Sequence, residues 1–155
     1  MGVSGAGKTT VGIALAERLG LRFVDADDLH PAANVEKMAA GIPLTDADRW
    51  PWLAAVGDAL AQADEPGLVV ACSSLKRSYR DAIRAQAADV AFVHLTAPLD
   101  VLRERIGHRE GHFMPASLLD SQLAILEPLA PDEAGATIDV SGTVAENVDA
   151  VVGAL

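Results

Sequence analysis

Behind Lys8, apolar residues at Val11, Leu15 and Leu19 recur at helical spacing and stop at Gly20, which predicts a first helix over 8–19. A short strand follows at 22–25, then a helix over 31–40 ending at Gly41. Thr45 or Asp46 can cap a helix reaching about 63, and Pro66-Gly67 turns the chain into a strand at 68–72. The pattern continues with a helix at 75–87, a strand at 90–96 and a helix from Pro98 to about 106. Glycines interrupt regular structure between 108 and 115, after which a helix at 116–126 and a strand at 137–140 are expected. Thr143 with Glu146 three residues on forms a capping box for the last helix, whose apolar stripe is Val144, Val148, Val151 and Leu155. Strands alternating with helices predict a three-layer α/β fold, a mostly parallel sheet covered on both faces, with ligands at the carboxyl ends of the strands.

The segment before the first helix carries chemistry. Gly2, Val3, Ser4, Gly5, Ala6, Gly7, Lys8 and Thr9 spell GVSGAGKT, a complete GxxxxGK[ST] phosphate-binding loop running directly into the helix, with Thr10 next in line. Its glycines let backbone amides turn inward around a phosphate, and the positive end of the helix dipole adds to the attraction. Lys8 is expected to reach the β- and γ-phosphates and the Thr9 hydroxyl to ligate magnesium, so ATP and Mg²⁺ are the expected cofactors. Such a loop ordinarily follows a buried central strand, whereas only Met1 precedes Gly2. The expectation is a start codon assigned too late, because a sheet without its central strand exposes two edges.

Composition narrows the partners. The 155 residues, 50% hydrophobic and 22% charged, suit a single domain spanning 1–155. No apolar run approaches the roughly 20 residues of a spanning helix. A net charge of −10 at pH 7 opposes binding to nucleic acid or anionic membrane. Cys72 is the only cysteine, so no internal disulfide can form, and a reducing, cytoplasmic location is expected. The opening Met-Gly does not complete a myristoylation pattern, since position six is Ala6.

Switch-type GTPases share the loop, but there is no NKxD, and the DxxG at 132–135 comes too late in the chain. An acid for the metal is supplied instead by Asp25-Ala26-Asp27 at the end of the second expected strand. On extended backbone a period-two pair points the same way. Asp27 is assigned to accept the proton of an acceptor hydroxyl and Asp25 to hold magnesium waters. The plainer alternative is a solvated capping loop over 25–28, since acidic turn residues are common.

DADDLHPAANVEKMAAGIPLTDADRWPWL (25–53) closely resembles the substrate-binding signature of the gluconate kinase family. ACSSLKRSYRDAIR (71–84) and REGHFMPASLLDSQLAILEPL (109–129) are similar to that family's later motifs in the same order. The resemblance spans nearly the whole chain. It implies transfer of the γ-phosphate of ATP to the 6-hydroxyl of D-gluconate on a P-loop fold of the nucleotide- and shikimate-kinase kind. Dimerisation, common among such relatives, comes with it as an expectation. The chain departs from the family in its missing first strand and in Ala26, where glycine is usual between the two aspartates.

A sugar acid offers a carboxylate and several hydroxyls, so its site needs a fork-like cation beside mixed donors and acceptors. Within a substrate region of about 28–53, Arg49 is the first choice for the carboxylate and His30 and Asn34 for hydroxyls, with Lys76 and Arg80, one strand over, as alternatives to Arg49. Lone cations on helices are as often solvated surface. Trp50 and Trp52 flank Pro51 and suit a pocket wall or plain core. Arg103, Arg105 and Arg109 cluster at an expected lid over 105–115, with Arg105 and Arg109 favoured to neutralise the transferring phosphoryl group. His112 is assigned to the lid and His94 to the core; the spacing of His108 and His112 does not make a zinc motif. Shikimate-type and nucleoside monophosphate kinases share the loop, the strand-end Asp and the arginine lid, and a nucleotide-binding module without transfer remains the rival from another class.

Overall fold

The computed structural model describes residues 1–107 and 116–155. Among these residues seven helices and four strands follow one another: α1 (Lys8–Leu19), β1 (Arg22–Asp25), α2 (Ala32–Ala39), α3 (Asp46–Ala61), β2 (Leu68–Ala71), α4 (Arg77–Arg84), β3 (Phe92–Thr96), α5 (Leu99–Gly107), α6 (Ala116–Ile125), β4 (Gly135–Asp139) and α7 (Val144–Ala154). The predicted capping box of α7 is present, Thr143 accepting from the Glu146 amide and Glu146 answering the Thr143 amide. At α3 the cap is Thr45, paired in the same way with Asp48, which leaves the Asp46 side chain for other work.

The strands pair in parallel as expected, but as two separate two-stranded sheets. Arg22 lies opposite Leu68 and Asp25 opposite Ala71 in one; Phe92 lies opposite Gly135 and Thr96 opposite Asp139 in the other. Between them runs only the start of the chain. The Met1 amino group donates to the Val93 carbonyl, the Met1 carbonyl accepts from the Leu95 amide at 2.9 Å, and the Gly2 amide donates to the Ser73 carbonyl at 3.1 Å. Met1 thus lies alongside β3, between the two sheets. Behind it a cavity of about 610 Å³ opens, lined by Leu15, Val70, Cys72, Ile83 and Phe92 among others. Its low-dielectric wall pushes the Met1 amine down to about 5 and the Cys72 thiol up, burial being the leading cause of both.

Two apolar clusters flank this division. One joins Val3 and Ala6 of the loop to α1, β3, β4, α6 and α7 through residues such as Leu15, Leu95, Leu119 and Val151. The other joins Ala26, Trp52, Leu53 and Val56 to Cys72, Tyr79, Ile83 and Phe92. The loop belongs to the first cluster and the predicted substrate region to the second. His94 is core, as expected; burial lowers it to about 4, a buried imidazole favouring its neutral form. Among the described residues no helix is long and apolar enough to cross a membrane.

Several boundaries differ from the sequence reading for local reasons. α4 begins at Arg77 rather than 75, because the Leu75 and Ser74 carbonyls are taken by the Arg80 guanidinium, 3.4 and 3.2 Å away, and Ser74 sits at φ 42°. β4 starts two residues early, at Gly135. The strand at 22–25 keeps its expected bounds, but the extended backbone assumed to carry Asp27 beyond it is a 3-10 turn over 26–29.

Candidate active site

The phosphate loop is shaped by backbone. Gly2 and Gly5 sit at φ 141° and 80°, and a Cβ on either would lie 2.7 Å from the Leu95 carbonyl oxygen or 2.8 Å from that of Leu102. Both position and space therefore demand glycine. Gly7, in the left-handed region, opens α1 with no side chain capping it, in contrast to the boxed starts of α3 and α7. The N-terminal amides of α1 thus face outward at the positive end of the helix, the arrangement that receives an anion. Lys8 lies across the loop, its Nζ 3.1 Å from the Val3 carbonyl.

Asp25 closes the floor beside the loop. Its Oδ2 accepts from the Thr9 hydroxyl at 3.0 Å and its Oδ1 from the Asp27 amide at 3.1 Å, so one carboxylate links α1 to the 3-10 turn. Two oxygen donors of the hard kind that magnesium prefers are therefore adjacent, next to a loop built for phosphate. Among the described residues no three His, Cys, Asp or Glu side chains gather into a cage. Asp27 does not extend the strand as the period-two reading required. It rides exposed on the 3-10 turn, and its charge acts on His30. Ala26 has no positive φ and is fully buried, with the Trp52 indole donating to its carbonyl; a methyl replaces the usual glycine there as packing against the second cluster.

His30 stacks on Trp52 with ring centroids 4.3 Å apart, and burial holds its pKa below the usual value, with Asp27 opposing and Arg49 adding to the shift. Asn34, buried, donates to the Asp48 carbonyl at 2.8 Å and lies 3.3 Å from His30 Nδ1. These two predicted hydroxyl ligands thus form one connected wall between the 3-10 turn and α3. Lys37 binds Asp48 at 2.6 Å, and that hydrogen bond leads the causes that depress the Asp48 carboxyl to about 2.

Arg49 and Lys76, alternatives in the sequence, come together. Lys76 Nζ is 2.8 Å from Asp46 Oδ2 and Arg49 Nη1 is 3.4 Å from Asp46 Oδ1, while the Tyr79 hydroxyl donates to the same carboxylate. Both cations lie over the Tyr79 ring, 5.2 and 5.9 Å from its centroid, and Trp50 meets that ring edge-on. The Lys76 and Tyr79 hydrogen bonds lower the Asp46 carboxyl, and Asp46 in turn raises Lys76. Two cations against one acid leave a local excess of positive charge that a carboxylate of the substrate can meet.

Arg80 does not join them. It is fully buried and forks onto Glu133 at 2.7 and 2.6 Å, with the carbonyls of Ser74, Leu75, Glu127 and Pro128 taking its other donors. Its hydrogen bonds lead the causes that hold Glu133 down at about 2. The substrate role expected for Arg80 is therefore withdrawn: it braces the strained Ser74 turn that carries Lys76. Burial is what sequence alone could not tell, because α4 is amphipathic with Arg80 on its inner side.

Arg105 donates from Nη2 to the Val140 carbonyl at 2.7 Å, against the turn that Asp139 caps by accepting from the Ser141 amide. Arg109, His108 and His112 lie outside the described residues. Asp46 was read from sequence only as a candidate helix cap, and Tyr79 was not singled out; the signals were an acid at the start of α3 and an aromatic one turn beyond Lys76. Gln122 of α6 likewise escaped notice, though its side chain accepts from the Ser4 amide of the loop at 2.7 Å.

Comparison with known proteins places this geometry. Residues 1–129 match a family model described as an AAA domain. The chain is 55% identical over 144 residues to a gluconokinase of Gluconobacter oxydans, covering 92% of this chain and 80% of that one. It is 46% identical over 149 residues to the thermosensitive gluconokinase of Escherichia coli, covering 94% and 79%. Among solved structures, a gluconokinase from Sinorhizobium meliloti superposes with a TM-score of 0.88 at 52% identity, covering 99% of this chain and 87% of that one. Shikimate kinase from Aquifex aeolicus, at 16% identity and a TM-score of 0.60, shares the fold.

Proposed function

Because the chain belongs to the gluconokinase family of P-loop kinases, we propose that it phosphorylates D-gluconate at the 6-hydroxyl with ATP, giving 6-phospho-D-gluconate and ADP. The observation that carries the acceptor side is the meeting of Arg49 and Lys76 at one carboxylate. Two cations over an aromatic face suit a small sugar acid better than a neutral acceptor, because a charged carboxylate recovers more in such a site than a hydroxyl does.

In this reading the amides of Gly5, Ala6 and Gly7 and the start of α1, with Lys8, Thr9 and Thr10, hold the ATP phosphates. Thr9 and Asp25 would hold magnesium, which when bound supplies charge neutralisation at the phosphate oxygens. Arg49 and Lys76 orient the gluconate carboxylate, and His30 and Asn34 line the hydroxyls. Asp27 accepts the proton of the 6-hydroxyl as its oxygen forms the new bond to phosphorus and the bond from phosphorus to the ADP oxygen breaks. Arg105 and Arg109 are the arginines that would counter charge on the moving phosphoryl group, excluding water that would otherwise take it. The donor is the ATP of the cytosol.

The test is ADP release with Mg-ATP and D-gluconate, shikimate, nucleoside monophosphates or no acceptor, on wild type and Asp27→Asn. Gluconate-dependent release is expected for wild type, with turnover lowered about 10²-fold in the variant and ATP binding kept, as for loss of a general base. Release with a different acceptor refutes the substrate, ATP binding without any acceptor-dependent release supports a non-catalytic module, and full activity of Asp27→Asn removes that residue from the base role.

A further inference from the structure

Helix α6 and the segment behind it join parts of the site that the sequence keeps far apart. Leu119 of α6 is almost wholly buried in the same cluster as Val3 and Ala6 of the phosphate loop. Gln122, one turn on, gives its side-chain carbonyl to the Ser4 amide at 2.7 Å, a contact spanning 118 residues. Ser4 is itself buried, so its amide requires a partner.

Beyond α6 the chain is fastened to the start of α4. The Glu127 amide donates to the Leu75 carbonyl at 2.8 Å, and the Glu127 carboxylate accepts from the Arg77 amide. Arg80 holds the Glu127 and Pro128 carbonyls at 3.0 and 3.3 Å and is locked to Glu133, which also takes Arg84 at 2.9 Å and the Ala130 amide at 3.0 Å. One end of this bracket is therefore Ser4 in the phosphate loop. The other is the turn that carries Lys76, which meets Asp46 in the acceptor half.

We propose that Gln122 is a positioning residue for phosphoryl transfer: by holding the Ser4 amide it keeps the outer turn of the phosphate loop in register with the Lys76 side, and so fixes the separation of donor phosphate and acceptor hydroxyl. The inference rests on the kinase reading given above. A loop whose conformation is set by glycines has little stiffness of its own, and misplacement of reacting groups by about 1 Å can cost on the order of 10² in rate. A bracket that ties the loop to the acceptor side removes that freedom without touching either substrate.

The experiment compares the full chain with Gln122→Met, which keeps length and helix propensity but removes the acceptor, and Gln122→Glu, which keeps an acceptor in the same place. ADP release is measured with ATP and gluconate varied in turn, beside thermal melting and calorimetric titration with Mg-ADP. Gln122→Met is expected to lose about tenfold in kcat, on the scale of one hydrogen bond lost to a buried amide, with KM for gluconate within about twofold and a fall in melting temperature of only a few degrees, so that the variant is fully folded at the assay temperature. Gln122→Glu is expected to turn over several-fold faster than Gln122→Met. Wild-type kcat in Gln122→Met, a loss that merely follows a fall in melting temperature, or a Glu variant as slow as the Met variant overturns the proposal. If wild type itself shows no gluconate-dependent turnover, the kinase reading fails, and the Gln122 proposal is decided by Mg-ADP: weaker binding to the Met variant sustains its hold on the loop, and equal affinity refutes it.

Discussion

On the phosphate side, Gly2 to Thr9 supply the loop, the helix start and the lysine from consecutive positions, while on the proposed acceptor side Asp46 meets Lys76 across 30 residues and Tyr79 across 33. The first half takes its shape from backbone dihedrals and leaves α1 uncapped at Gly7. The second is held by side chains, and α3, which carries Asp46 and Arg49, starts from a closed capping box at Thr45. Substituting one side chain therefore changes the acceptor half in place. The phosphate half depends instead on what aims its backbone: the Gln122 contact to the Ser4 amide and, at the start of the loop, Met1 beside β3.

The largest effect should come from strengthening that support. An apolar segment of five residues placed ahead of Met1, able to extend along β3 and fill the 610 Å³ cavity, is expected to raise stability by about 5 kcal/mol. That figure sets buried apolar side chains at about 1.5 to 3 kcal/mol each against the cost of ordering the segment. Urea denaturation checks it, with the same segment carrying lysines at alternate positions as the control. Equal midpoints for the two would mean that the cavity takes no strand. KM for gluconate should not move, because the acceptor half has its own ties.

Next in size is Lys8→Met, expected to lower turnover about 10³-fold, in the range seen when a charge-stabilising donor is removed. Gluconate affinity, read by calorimetry, should stay within twofold. A large loss of gluconate binding would mean that the two halves are not separable in the way their construction implies.

How much of this could be read from sequence follows the same division. The loop, the first helix and the capping box at Thr143 are local patterns, and each appears where the residues put it. Asp25 was legible because it ends a strand beside the loop, and it does meet Thr9. Asp27 was placed on extended backbone because period two was carried past Asp25; the Asp25 side chain, by capping the next turn, ended the strand first. Arg80 and Lys76 looked alike as basic residues four apart on one helix. Only the packing of 127–133 against α4 separates them, one buried against Glu133 and the other turned toward Asp46. The pattern of elements pointed to one mostly parallel sheet; the division into two sheets and the cavity between them emerge only in three dimensions.

Lys76→Met tests the acceptor half directly. A hydrogen bond to a charged group contributes about 1.5 to 3 kcal/mol, so KM for gluconate is expected to rise about 10- to 100-fold with KM for ATP unchanged. Arg49→Met should do less, because Arg49 lies 3.4 Å from Asp46 against 2.8 Å for Lys76. If Arg49→Met proves the more damaging, Arg49 leads in holding the carboxylate and Lys76 serves mainly to orient Asp46.

The smallest effect distinguishes a helix start used for structure from one used for chemistry. Thr143→Ala removes the cap of α7, where the threonine hydroxyl and the Glu146 carboxylate answer one another's amides. Loss of such a cap costs about 1 kcal/mol, so the denaturation midpoint should fall slightly while kcat and both KM values remain at wild type. At α1 the comparable change works in reverse. Gly7→Asp would place a carboxylate at a helix start that no side chain caps, where it competes with phosphate for the same amides and the same dipole. Strain from the left-handed backbone at Gly7 adds to the cost in stability, yet the decisive readout is nucleotide affinity, which should fall far more than the midpoint does. Should Thr143→Ala weaken nucleotide binding as well, the turn after β4, which Arg105 touches at Val140, belongs to the nucleotide site and the capped helix start is not merely structural.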